Sequence, residues 1–192
     1  MVRIKLNKSF FYLFLVWNIF LAIIPYAITM YLETIKLNRL KLGFWFCIWL
    51  LFLPNAPYII TDLLHIKVSH SNMLWLDILV ILSFASTGLL LFYLTLEDMK
   101  TIIRKQLTKI LVNNLMTIII FLSAFGIYLG RYLRYNSWEI ISHPQILIGD
   151  IINIIISPLQ NSEAWLFTFG FGSFLAVGYW IFSILMNLKS RN

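Results

Sequence analysis

The run from Phe10 to Leu32 carries no charged residue. At about 1.5 Å per helical residue it is long enough to cross roughly 30 Å of hydrocarbon. Four more apolar runs follow at about 42–60, 74–96, 110–129 and 165–188. In lipid every backbone polar group must be satisfied inside the protein, and these runs lack the alternating polarity of barrel strands, so each is read as a helix. The expected architecture is all-α, a polytopic transmembrane helix bundle of about five spanning helices. Repeats and long linkers are missing, and residues 1–192 are read as one integral membrane domain. The first run lacks the short core and small-residue cleavage site of a removable signal peptide and is read as a retained helix.

Composition points the same way. Hydrophobic residues make up 60% and charged residues 12%, whereas a soluble domain carries about a quarter charged residues. The net charge of +7 sits in the connections rather than in the apolar runs. No basic stripe with interleaved aromatics accompanies it, so nucleic acid is rejected and membrane lipids are the expected neighbours. With five crossings, nine Lys and Arg lie on the side of the first and third connections and six on the other. Counting positive residues inside then places the N-terminus outside, against the pull of Arg3, Lys5 and Lys8 ahead of the first helix. Cys47 is the only cysteine, which excludes a disulfide framework, a CxxC pair and a cysteine zinc site; a buried, inert thiol is expected.

The stretch from His143 to Gln160 is too short to cross. Gln145, Gly149, Asn153 and Ser157 recur every fourth residue, with Asp150 beside them, which on a helix makes one polar stripe. Pro144 can start that helix and Pro158 can stop it. An interfacial helix over about 144–158, lying in the membrane plane, fits best; a re-entrant or sixth crossing segment is the competing reading.

Two constellations stand out. The first is Leu53-Pro-Asn-Ala-Pro-Tyr-Ile-Ile-Thr-Asp-Leu-Leu-His65. Pro54 and Pro57 remove two backbone donors and disfavour helix at Leu53 and Ala56, while Asn55 can cap a helix restarting near Ala56. If the chain is helical from Pro57 onward, Tyr58, Thr61, Asp62 and His65 share one face. Polar groups at hydrocarbon depth usually mark a site. Asp62 and His65 are the candidate catalytic pair, able to relay protons, bind a metal or act as acid and base. The bland alternative is a proline-kinked helix end whose Asp and His meet interfacial water.

The second constellation runs from Gly126 to Glu139. Gly126 and Gly130 form a GxxxG step suited to helix packing. Arg131 and Arg134 then share a face with Tyr135 and Trp138. Paired guanidinium groups can grip phosphate or carboxylate, although snorkelling at a helix end explains them as simply. Two crossings separate the constellations, so both emerge on the same side of the membrane. The candidate binding residues are Asn55, Tyr58, Thr61, Asp77, Arg131, Arg134, Asn136, Trp138 and Glu139, and His70 and His143 fall on the same side.

Ser83, Ser86, Thr87 and Gly88 in the third run, and Gly170, Gly172, Ser173, Ala176 and Gly178 in the last, read as small-residue stripes for close contacts or interhelical hydrogen bonds. Neither run carries a charge deep enough to line a conducting path, which weakens a channel. No HExxH, GxSxG, phosphate loop or dinucleotide fingerprint occurs. The residues name no cofactor, and no metal site is assigned.

Leu53-Pro-Asn-Ala-Pro-Tyr58, Thr61-Asp62-Leu63, His65, Gly130-Arg131-Tyr132 and Arg134 to Trp138 together resemble an uncharacterised family of multi-pass bacterial membrane proteins, domain of unknown function 1361. The resemblance covers nearly the whole chain. It implies a bacterial inner-membrane protein with several helices and transfers no substrate or catalytic role. A polar site that binds an anionic lipid headgroup, a lipid-linked phosphate or an acidic loop of a partner protein is ranked first. A membrane-surface enzyme acting on a phosphorylated lipid-type substrate through Asp62 and His65 comes second, and a small-solute transporter third.

Overall fold

The structure, a computed structural model, describes residues 11–62, 74–135 and 144–189. Among the described residues seven helices follow one another: α1 (Phe11–Thr34), α2 (Arg39–Phe52), α3 (Asn55–Tyr58), α4 (Leu74–Arg104), α5 (Lys109–Arg131), α6 (Pro144–Ile156) and α7 (Ser162–Lys189). No strand occurs among the described residues. Five segments among the described residues are long and apolar enough to cross a membrane: Phe14–Thr34, Arg39–Asp62, Ile78–Arg104, Lys109–Arg131 and Ser162–Met186. The chain is thus an all-α, multi-pass membrane protein. By contact it divides into two compact units, Met1–Met99 and Lys100–Asn192.

Helix ends follow the backbone rather than the apolar runs. Where apolarity fades near Leu96, α4 continues as a helix through Arg104, because Glu, Lys and Arg are good helix formers. At the start of α2 the Asn38 side chain caps the helix, accepting from the Lys41 N–H at 2.8 Å.

In the first unit α1 packs against α2 and α3, and lone polar residues hold the packing in register. The Trp49 Nε1–H donates to Thr95 Oγ1 at 2.8 Å, and the Thr95 hydroxyl donates to the Pro25 carbonyl at 3.0 Å. Thr29 lies beside them, donating to its own helix at Tyr26 O across 2.9 Å. All three of these side chains are buried. Interhelical hydrogen bonds of this kind contribute about 0.6 kcal/mol each in a membrane and reach about 1.7.

The small-residue stripes behave differently from the sequence expectation. Ser83 and Thr87 are exposed and donate back to Leu79 O and Ser83 O of their own helix, so they supply no interhelical bond. Gly88 alone makes the close approach: a Cβ there would collide with the Ala56 carbonyl oxygen. In the second unit α5 packs against α7, and Gly172 is likewise a contact glycine, seated under the Phe121 ring, while Gly170 faces open space. Tyr128, Ile154 and Ala164 form a core there with Phe125, Leu129, Trp165 and Phe167 around it. Cys47, expected inside, is exposed. It sits two residues before the buried Trp49, and the 3.6-residue repeat turns it to the outer side of α2.

Gly88→Ala should lower stability by on the order of 2 kcal/mol, since backbone rather than a yielding side chain opposes the added methyl. Gly170→Ala should be neutral or slightly stabilising. Unfolding in detergent micelles measures both, and equal stabilities would contradict the close α3–α4 approach.

Candidate functional site

The break after α2 is built from what the two prolines take away. Pro54 and Pro57 cannot supply the N–H groups that the Leu50 and Leu53 carbonyls would use in a continuous helix. Leu53 O is instead reached by the Ala56 N–H at 3.2 Å. That shift removes the donor Phe52 O would have had, and the Asn55 side chain replaces it, Nδ2 donating to Phe52 O at 2.9 Å. Asn55 therefore closes the end of α2 rather than capping the next helix, whose N-cap is Pro54 without a side-chain bond. Leu53 keeps right-handed helical angles, φ −55° and ψ −41°. Its steric bias before proline is overridden by these bonds, so the segment stays right-handed through the break.

Residues 59–62 continue as a 3₁₀ turn. Side chains three apart eclipse in such a turn, which groups Tyr58 with Thr61 and Ile59 with Asp62. The α-helical spacing would have set Asp62 near Tyr58. Thr61 Oγ1 donates to Tyr58 O at 2.6 Å. Ile59 and Asp62 are both fully enclosed, at 0% exposure.

Asp62 is met by a residue the sequence reading passed over. Asn18 of α1, 6% exposed, donates from Nδ2 to Asp62 Oδ2 at 3.0 Å. The signal was an amide standing alone in an otherwise oily helix. A carboxyl group enclosed at this depth needs such donors, so the pair ties the end of the second span to α1. Asp77 lies on α4. His65 and His70 lie outside the described residues, as do Asn136, Trp138, Glu139 and His143.

Arg131 and Arg134 belong to the second unit. Arg131 closes α5 half-buried, with basic charge in the last turn as the helix dipole favours. Tyr132 is the C-cap, its N–H returning to Tyr128 O at 2.9 Å. Arg134 is exposed and has φ 63°; among the described residues it is the one non-glycine residue with positive φ. That conformation costs an L-residue about 1–2 kcal/mol. Tyr135 pins it from the far side, with its N–H on Leu129 O at 3.1 Å and its hydroxyl donating to Asp150 Oδ2 at 2.7 Å. Asp150 is a residue of α6, so the arginine turn is fastened to that helix. Among the described residues no cluster of three His, Cys, Asp or Glu side chains could hold a metal.

The family model described as "Protein of unknown function (DUF1361)" matches residues 17–177, and the chain belongs to that family. No curated protein and no solved structure matches it.

Asn18→Ala should cost about 2 kcal/mol, the scale of taking a hydrogen-bond partner from a buried polar group. Asn18→Leu combined with Asp62→Leu should cost less than the two single changes summed, because neither variant partner then strands the other. Thermal unfolding of the solubilised protein checks both, and a neutral Asn18→Ala would show that Asp62 does not depend on α1. Arg134→Gly should raise stability by about 1 kcal/mol by relieving the left-handed backbone; a loss of stability there would mean the turn is held by the arginine side chain itself.

Proposed function

We propose that this family member is an integral membrane protein that binds an anionic group of phosphate type at the turn closing α5, with Arg131 and Arg134 as the binding residues. The observation that carries the reading is the left-handed backbone of Arg134. Strain of this kind persists only where the surroundings hold it and concentrates where function uses it. Glycine would fit the position more cheaply, yet the chain places a cation there.

The chemistry supports the assignment. A guanidinium offers planar, paired donors to phosphate or carboxylate, and the exposed Arg134 meets no acidic partner among the described residues. Asn136, Trp138 and Glu139 follow directly in sequence and are proposed to complete the contact. The partner group would belong to a lipid headgroup or to an acidic segment of another membrane protein. The motif resemblance supports a bacterial inner membrane as the location. Asp62, enclosed and bonded to Asn18, is assigned a tying role; Asn55, Tyr58, Thr61, His65 and Asp77 stay with the proposed binding and catalytic residues of the sequence reading.

Binding of phosphatidylglycerol in zwitterionic bicelles and of glycerol 3-phosphate in solution should be compared across variants. Arg131→Ala and Arg134→Ala should weaken whichever probe binds by tenfold or more, about 1.4 kcal/mol, and raised salt should weaken it in the native protein. Unchanged affinity in folded variants would remove the arginines from the site.

A further inference from the structure

α6 presents three distinct faces. At 3.6 residues per turn, Leu147, Asp150, Ile151 and Ile154 form the inward face, with Leu147 and Ile154 buried. Gln145, Gly149 and Asn153 lie exposed on a second side, where Ile146 and Ile156 are exposed too, at 59% and 73%. Ile148, Ile152 and Ile155 make a third face, exposed at 50%, 48% and 56%. A helix that only packed on its neighbours and met water would not keep three isoleucines open along one side.

Its length and its place in the chain say what meets that side. The 13 residues of α6 extend about 20 Å at 1.5 Å each, short of roughly 30 Å of hydrocarbon. The helix lies between the end of one span, Arg131, and the start of the next, Ser162. It therefore stays on the membrane side where the arginine turn emerges. Two bonds fix it there. Tyr135 Oη donates to Asp150 Oδ2 at 2.7 Å, and Trp165 Nε1 donates to the Ile154 carbonyl at 3.2 Å. The first joins α6 to the residue next to Arg134, and the second joins it to the first turn of α7.

Resting on the anion-binding reading above, we infer that the ligand is an anionic phospholipid, its headgroup on Arg134 and Arg131 and its acyl chains against the Ile148–Ile152–Ile155 face of α6. A cationic turn fastened to an apolar helix of interfacial length matches the two halves of one lipid molecule: charge attracts the phosphate, and apolar area accepts the chains. A soluble phosphate would use only the first half. An acidic protein segment would leave the isoleucines uncovered. Tyr135 is the positioning residue, since it touches the turn through its backbone and α6 through its hydroxyl.

The test uses the full chain in phosphatidylcholine nanodiscs carrying a small fraction of phosphatidylglycerol with a photoactivatable acyl chain. Peptide mapping should find residues 144–156 labelled at least about fivefold more by this probe than by the matching phosphatidylcholine probe. Unlabelled phosphatidylglycerol should compete, glycerol 3-phosphate should not, and Arg134→Gln should abolish the excess. Tyr135→Phe should reduce the excess while leaving the fold and the uniform labelling of the spans unchanged. Equal labelling of α6 by the two lipids overturns the inference. Competition by glycerol 3-phosphate as strong as by the lipid also overturns it, while leaving the arginine site intact. If neither anionic probe binds at all, both readings fall together.

Discussion

Hydrocarbon offers no water to a backbone group that has lost its helical partner, and the second span depends on that constraint at the Pro54–Pro57 break. Two missing N–H groups would leave carbonyls facing lipid at a cost of several kcal/mol each. At Pro57 the chain answers with local substitutes: the Ala56 N–H moves to Leu53 O, and the Asn55 amide takes over the Phe52 O that Ala56 leaves. Because those bonds keep the backbone right-handed, the segment stays narrow enough for the Ala56 carbonyl to lie against Gly88. The position of α4 in the first unit, and the placement of Asp62 at Asn18, follow from how the break is closed.

The same accounting holds across the buried interior. Thr95 accepts from Trp49 and donates to Pro25 O, Asp62 accepts from Asn18, and Ser123 and Thr168 bond back to Ile119 O and Ala164 O of their own helices. Among the described residues no buried side-chain nitrogen or oxygen lacks a partner. The Trp49–Thr95–Pro25 and Asn18–Asp62 bonds run between segments and fasten their register, whereas Ser123 and Thr168 satisfy only their own hydroxyls.

Five crossings were legible because apolarity over the length of a helix admits one reading in lipid, and the short helix from Pro144 was legible from its prolines and polar stripe. What escaped was pairing across the fold. Asn18 looks like any amide in an oily run until Asp62 is placed beside it, and Tyr135 gives no sign in sequence that its hydroxyl will meet Asp150. The small-residue stripes misled for a related reason. Sequence shows which positions permit close approach, but another element arrives at Gly88 and Gly172 and not at Gly170; the hydroxyls of Ser83 and Thr87 turn to their own helix. The 3₁₀ turn at 59–62 also lay beyond the pattern, since a spacing of three or four reads as one face only while the helix stays α.

Arg134 departs from this economy in two respects. It is exposed where the other notable polar groups are enclosed, and it adopts a backbone conformation that an L-residue pays for where glycine would not. The cost is met by neighbours on both sides: the closing bond from the Tyr132 N–H to Tyr128 O, and the two bonds made by Tyr135. A turn needed only to connect α5 with α6 could relax without losing either helix. Holding a cation outward against strain is the feature on which the proposed anion contact rests, and Tyr135 ties that turn to α6 through Asp150.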